Sequence, residues 1–419
     1  MQNNTMTNLP QGWEVKKLGE IGFFIRGVSY KKEQLLSTKN ENSVYLLRAN
    51  NIQNELNLDE LQIIPKELVV DKIIQNNDIL FAMSSGSKHI VGKNILLNNL
   101  NDFTFGAFCG LFRIINLNIC HKFIAYYLRS DSYKNYIFNI SKGSNINNLR
   151  FIDLEKFQIP LPPLKEQERI VGILDESFAK IDESIKILEQ DLLNLDELMQ
   201  SALQKAFNPL KDNAKENYKL PQGWEWKSLG EICFITDGTH KTPNYIEKGV
   251  PFLSVKNISK GFFDLSDVKY ISLEEHNKLI KRAKPEFGDI LICRIGTLGK
   301  AIKISLEFEF SIFVSLGLLK PKVKIISDYL VYFLNSYFIE GWINDNKVGG
   351  GTHTAKLNLN ILEKCPVALP PLKEQEQIAS HLDELSSHVK NLKQNYQAQI
   401  KDLQELKKSL LDKAFKGNL

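Results

Sequence analysis

The sequence predicts an α/β protein: two mixed α/β domains joined by two long antiparallel coiled-coil helices, one unit written twice with internal two-fold pseudo-symmetry. Three observations predict it. Residues 161–168 read LPPLKEQE, and 208 residues later 369–376 read LPPLKEQE again. Residues 9–21, LPQGWEVKKLGEI, return at 220–232 as LPQGWEWKSLGEI. Each LPPLKEQE opens a long amphipathic segment, and both segments close on Lys-Ala-Phe, at Phe207 and Phe415. A repeat of this length means one structural unit used twice, so the function must need two of them.

In chain order, residues 1–160 form the first globular domain. Residues 9–12 make a turn, and Trp13 anchors the core at its entry. Stretches rich in Val, Ile and Phe at 21–25, 44–47, 79–83 and 108–115 read as strands, because Gly, Asn and Ser break them. Residues 121–140 space aromatics and aliphatics at helical intervals, with Arg and Lys on the other side, and predict one helix. Polar loops lie between, at 84–93 (SSGSKHIVGK) and 141–150 (SKGSNINNLR).

Pro160, Pro162 and Pro163 stop the sheet, since proline cannot donate to a ladder and suits a helix start. Residues 161–207 are then the first long helix. Its apolar positions run Ile170, Leu174, Ser177, Ile181, Ile185, Leu188, Leu192, Leu195, Met199, Ala202, Ala206, the alternating spacing of a coiled-coil seam. Forty-four residues in one helix span roughly 66 Å, and a lone apolar stripe must bury itself against a partner.

A polar linker, 208–219, leads to the second globular domain at 220–368, whose landmarks follow in the same order. VPFLSVKNI at 250–258 matches VYLLRANNI at 44–52, and GDILICRIG at 288–296 matches NDILFAMSS at 77–85. SDYLVYFLNS at 327–336 matches HKFIAYYLRS at 121–130. The second long helix, 369–419, supplies the first one's partner, with a seam at Ile378, Leu382, Leu385, Val389, Leu392, Tyr396, Gln399, Leu403, Leu406 and Leu410. An antiparallel pairing brings the linker and the second domain's entry and exit together, and puts the globular domains at opposite ends of a rod.

Composition excludes several classes. No run approaches the ~18 apolar residues of a membrane span, and MQNNTMTNLPQGW lacks the pattern of a secretory signal. Five scattered cysteines without a CxxC exclude a disulfide framework or zinc site and suit a reducing cytoplasm. Residues 1–163 carry 18 Lys/Arg against 14 Asp/Glu and 220–371 carry 19 against 16, whereas 164–207 carry 5 against 10. The globular parts are thus mildly basic and the helices are not, which suits a nucleic-acid partner for the former. There is no GxSxG, no HExxH and no acidic cluster with metal spacing. Residues 86–93 resemble a phosphate loop, but the spacing is wrong and Asn94 stands where Ser or Thr would hold Mg²⁺. No catalytic or metal-ligating residue is expected.

The positive signal is a pair of matched loops, 142–150 (KGSNINNLR) and 347–356 (KVGGGTHTAK), each just before an LPPL run and each bounded by cations. Arg and Lys neutralise phosphate and contact guanine, Asn reads adenine, and Gly allows close approach. For either loop alone a solvated surface loop is the simpler reading. Two equivalent loops with different polar residues on one frame point to two recognition specificities.

With these motifs in hand, the chain resembles the specificity subunits of Type I restriction-modification systems along its whole length. The resemblance implies a DNA-binding, non-catalytic subunit with target recognition domain 1 at 1–160 and target recognition domain 2 at 220–368. Each would read half of a bipartite site in double-stranded DNA, and the helices would set the spacer. It implies as partners two adenine-N6 methyltransferase subunits docked on the helices and restriction motor-nuclease subunits, with no membrane. S-adenosylmethionine, ATP and Mg would be used by those partners and not by this chain. By residue type and place, the DNA contacts expected are Arg48, Asn50, Lys88, Lys93, Lys142, Asn145, Asn148 and Arg150 in the first domain. In the second they are Lys241, Lys256, Arg294, Lys300, Lys347, Thr352, His353 and Lys356. Two alternatives stay open at this point: the DNA-reading subunit of a Type IIB-like system, and a coiled-coil scaffold that binds proteins.

Overall fold

The computed structural model describes residues 9–85, 90–142, 148–207, 220–350 and 355–419. The chain divides into two compact units: residues up to Leu188 with Ala398–Leu419, and Glu189–Gln397. Both long helices, Leu164–Ala206 and Leu372–Phe415, contribute one part to each unit.

The first unit holds a four-stranded antiparallel sheet in the spatial order Gly22–Arg26, Cys109–Ile114, Ile79–Ala82, Asn94–Leu96. Ile79–Ala82 is buried at every position because both faces are covered. Ile79 and Phe81 join Phe112 and the helix residues Phe123 and Tyr127 in one core. Leu80 and Ala82, pointing the other way, join Leu111, Phe105 and Leu47 in a second. That second core lies toward a three-stranded sheet, Gln62–Pro65, Ser43–Leu47, Phe103–Phe105, whose last pair is parallel. The second unit repeats this topology. Its larger sheet runs Cys233–Asp237, Leu316–Pro321, Ile290–Cys293, Ala301–Lys303, and its smaller one Lys269–Ile271, Val250–Leu253, Ser311–Ile312.

The repeated sequence motifs are the parts that hold each unit to the helices. LPQGW makes a tight turn with the Trp13 N–H donating to the Pro10 carbonyl (3.2 Å) and Gly12 at a φ of 87°, and the same turn recurs at Trp224 and Pro221 (3.0 Å) with Gly223 at 87°. The following strand, Glu14–Lys17, pairs antiparallel with Gln158–Leu161, and Glu225–Ser228 pairs with Pro366–Leu369. The first repeated motif is therefore paired with the strand that runs into the second, meeting it at Leu161 and Leu369. In LPPLKEQE the glutamine is buried: Gln167 Oε1 accepts from Cys120 N (2.8 Å) while Nε2 donates to the Pro162 carbonyl (2.7 Å). Gln375 does the same with Ile326 N (3.0 Å) and the Pro370 carbonyl (2.8 Å). About two turns further on, Asp175 accepts from Tyr126 Oη (2.5 Å) and Lys122 Nζ (2.6 Å), and Asp383 accepts from Tyr332 Oη (2.8 Å).

Lys-Ala-Phe also has a cause. Phe415 enters the first unit's core against Phe123 and Tyr127, with ring centroids 5.3 and 4.8 Å apart. Phe207 enters the second unit's core against Tyr329 and Phe333, at 5.8 and 5.4 Å. Within each unit the helix segments pack antiparallel. In the first, Lys407 Nζ donates to Asp182 (2.6 Å) and Arg169 to the Leu419 carbonyl (2.9 Å); in the second, Lys393 pairs with Asp196.

Two expectations are corrected. The single helix over 121–140 is two, His121–Tyr127 and Asp131–Lys142. Ser130 Oγ accepts from Tyr133 N (3.4 Å) and Asp131 opens the second helix, so the Ser-Asp pair restarts the helix after a break. In the second long helix the seam runs Val389, Lys393, Tyr396, Ile400, Leu403, Lys407, Leu410, so Leu392 and Leu406 are 40% and 46% exposed and Gln399 is exposed. Lysine stems cover the apolar stripe there while their ammonium groups reach Asp196 and Asp182.

Candidate nucleic-acid interface

In each unit the strand Ile79–Ala82 or Ile290–Cys293 ends in a loop, and the segment before the LPPL run returns beside it. In the first unit Ser84 bridges Asn148, and Leu149 N donates to the Met83 carbonyl (2.7 Å). In the second Ile295 bridges Lys356, and Leu357 N donates to the Arg294 carbonyl (2.9 Å). Asn148 and Lys356 therefore occupy equivalent places, both exposed. The matched loops that the sequence singled out meet the hairpin loops that carry Lys93 and Lys300.

A second matched turn lies nearby in each chain segment. Asn51 Oδ1 accepts from Arg48 N (2.8 Å) and Nδ2 donates to the Asn57 carbonyl (2.8 Å). Asn257 Oδ1 accepts from Ser254 N (2.9 Å) and Nδ2 donates to the Asp264 carbonyl (3.0 Å). These buried asparagines build the turn, and the residue before each is exposed: Asn50 in the first unit, Lys256 in the second. The signal for them was present in the aligned Asn-Ile of VYLLRANNI and VPFLSVKNI.

The remaining expected contacts divide by environment. Lys88, Asn145, Thr352 and His353 lie outside the described residues, as does the side chain of Lys142. Arg48 is half-buried, with Nε buried and without a described partner. Arg150 is exposed and forked onto Asp153 (2.7 and 2.8 Å), which raises the guanidinium pKa through the Asp153 hydrogen bond and charge. Lys241 is exposed beside Thr239, and Lys347, also exposed, donates to Asn344 Oδ1 (2.9 Å). Asn50 and Lys93 border an open cavity of about 830 Å³ with Gln53 and Asn54. Lys300 and Lys347 border one of about 430 Å³ with Ser336, Glu340 and Asn344.

Arg294 differs from the rest. It is 7% exposed, its guanidinium pairs with Asp237, and Nε donates to the Leu357 carbonyl (2.9 Å). Asp237 also takes Arg282 and His240 Nε2 (3.1 Å). Burial pushes the Asp237 carboxyl up, but the Arg282 hydrogen bond and the Arg294 and Arg282 charges outweigh it and hold the pKa below the carboxylate's ordinary value. The guanidinium faces the fold's interior, where Asp237 and the Leu357 carbonyl offset the cost of taking its charge out of water.

Among the described residues no group of His, Cys, Asp and Glu is placed to hold a metal, and no helix is long and apolar enough to cross a membrane. Burial pushes the Cys109, Cys233, Cys293 and Cys365 thiols up to about 12, far from a reactive thiolate.

Two copies of one recognition fold on a shared helix pair, with different exposed polar residues on equivalent turns, define a sequence-reading protein with two readers. A family model for the Type I restriction modification DNA specificity domain matches residues 10–192 and again 221–402. The specificity subunit of Type I restriction enzyme EcoKI from Escherichia coli strain K12 is 30% identical, over 98% of this chain and 90% of its own length. The StySPI specificity subunit from Salmonella potsdam is also 30% identical, with the same coverage. In fold, the chain is similar to a structure from work on the complex assembly and conformational transition of the type I R-M system, with a TM-score of 0.78 at 22% identity, covering 98% of this chain and 100% of that one. It is also similar to the HsdS subunit from Thermoanaerobacter tengcongensis, with a TM-score of 0.60 at 22% identity and 98% of both chains covered. The chain belongs to the family of Type I restriction-modification DNA specificity subunits. Such a subunit selects the DNA and is itself non-catalytic, and its two recognition domains imply a bipartite site. Membership decides against the Type IIB-like and scaffold alternatives.

Proposed function

We propose that the domain over 1–160 and the domain over 220–368 each read one half of a split site in double-stranded DNA, through the residues anticipated from the sequence. Arg294 is the exception, serving as a positioning residue that ties the segment ending at Leu357 to the strand Ile290–Cys293. The observation that carries this reading is the pair of equivalent exposed positions, Asn50 against Lys256 and Asn148 against Lys356. An amide pairs with adenine's N6 and N7, whereas an ammonium suits guanine's O6 and N7 or a phosphate. One frame thus carries two chemistries. The helices dock two adenine-N6 methyltransferase subunits and fix the base pairs between the halves, and motor-nuclease subunits complete the complex. S-adenosylmethionine, ATP and Mg act in those partners, and the whole works in the cytoplasm, where the chromosome is.

Methylome sequencing tests this after co-expression with the neighbouring methyltransferase subunit in a host free of adenine methylation. A split motif with a modified adenine in each half, on opposite strands, is expected. In Asn148→Lys the preference should change in one half only, by about tenfold at one base pair (~1–3 kcal/mol). An undivided motif, or no methylation from a soluble and associated complex, would refute the reading.

A further inference from the structure

We propose that Lys93 and Lys300 are the same contact made twice: one phosphate clamp per domain, which holds the DNA backbone without regard to sequence. The proposal rests on the reading of both domains as DNA readers and assigns this position a different task from its neighbours.

The backbone around the two lysines is identical. Each follows a glycine that closes the hairpin between a central strand and its returning partner, Asn94–Leu96 or Ala301–Lys303. The Lys93 carbonyl accepts from Ala82 N and the Lys300 carbonyl from Cys293 N, both at 2.9 Å. Gly92 N donates to the Ala82 carbonyl and Gly299 N to the Cys293 carbonyl, again both at 2.9 Å. The glycines have φ of 85° and 81°, which L side chains rarely adopt. A Cβ at Gly92 would stand 2.8 Å from Ile137 Cγ2, and one at Gly299 2.3 Å from Ile343 Cδ1. Packing against the helices Asp131–Lys142 and Tyr337–Asn346 therefore explains both glycines.

Packing does not explain the lysines. Lys93 is exposed and Lys300 half-exposed, and neither ammonium has a hydrogen bond or ion pair with a described residue. The loop leading to them shares almost nothing between the units: Met83–Gly92 reads MSSGSKHIVG, whereas Arg294–Gly299 reads RIGTLG and is four residues shorter. Lysine nevertheless returns at the same backbone position. The surrounding exposed residues differ, Asn50 against Lys256 and Asn148 against Lys356. A side chain shared by two readers of different sequences must address what both half-sites have in common, the phosphate backbone or the target adenine, and an ammonium, which only donates, suits the phosphate and not adenine's N6 donor. The second site adds support: Ser336 Oγ borders the Lys300 cavity, buried and without a described partner, and Lys300 and Lys347 there outnumber Glu340.

The test uses the full chain co-purified with its methyltransferase subunit and a duplex carrying the motif found by methylome sequencing. Affinity is measured between 50 and 200 mM salt for wild type, Lys93→Ala, Lys300→Ala and both Lys→Arg variants. Each alanine variant should flatten the slope of log K against log salt by about 0.9, so that it loses ~3.5-fold less affinity than wild type across that range. The arginine variants should keep the slope, and the methylated motif should stay the same throughout. An unchanged slope in the alanine variants, or relaxed base preference in one half-site, overturns the clamp while leaving the two-reader function standing. A wild-type complex without a split motif overturns both.

Discussion

Arg294 and Asp237 show how one residue type takes opposite tasks on one surface. Most cations expected to meet DNA are exposed, but Arg294 is buried with Asp237 and holds the Leu357 carbonyl. The first unit has Met83 and Arg26 at the corresponding places, so the pair is an addition of the second repeat. Without Arg294 the buried Asp237 keeps Arg282 and His240, but it loses one charged partner and the Leu357 carbonyl loses its donor, so Arg294→Met should destabilise the protein by about 2 kcal/mol, measured by urea denaturation. The pH dependence has a definite sign. The folded-state pKa of Asp237 is lowered, so its contribution is present above the unfolded carboxylate value near 4 and is lost as pH falls through the folded value. Asp237→Asn should therefore shrink the stability difference between pH 6 and pH 3. An undiminished difference would show that the acid sensitivity lies in other carboxylates.

At the scale of elements, the repeated motifs serve as joints. Gln167 and Gln375, Asp175 and Asp383, Phe207 and Phe415 each fasten a globular core to a helix, and each came back in the sequence because the joint came back. Removing Phe415 by Phe415→Ala should cost about 3–5 kcal/mol, whereas Leu406→Glu, on a side chain 46% exposed, should change stability by less than about 0.5 kcal/mol. Equal losses in thermal or chemical denaturation would mean that the seam passes through Leu406. Such joints were legible in the sequence, along with the buried central strands, because a repeat and a run of apolar residues are local patterns. The seam beyond Val389 was not. Lys393 and Lys407 read as solvated charges until Asp196 and Asp182, some two hundred residues away, are seen opposite them. Likewise Arg294 reads as a DNA contact until its buried carboxylate is known. Which polar residues face outward is a tertiary property, so loop positions could be named but their exposure could not.

For the whole molecule, the proposal that the helices measure the DNA spacer makes a quantitative demand. Inserting one heptad keeps the alternating seam in phase and lengthens a helix by about 10.5 Å, roughly three base pairs of B-DNA at ~3.4 Å each. The insertion must be made in both helices, within 182–198 and within 390–406. An insertion in the first helix alone, placed between Asp182 and Asp196, leaves one seam seven residues longer than its partner, so the pairs with Lys407 and Lys393 can no longer both form. The single insertion should therefore abolish methylation, while the matched pair should restore it on a motif with the same two halves and a spacer about three base pairs longer. Unchanged halves separate this result from damage to either reader, since a misfolded domain would lose its half-site. Methylation by the matched variant at the original spacer would show that the linker at 208–219 or the DNA itself absorbs the added length, and that the helices do not measure the gap.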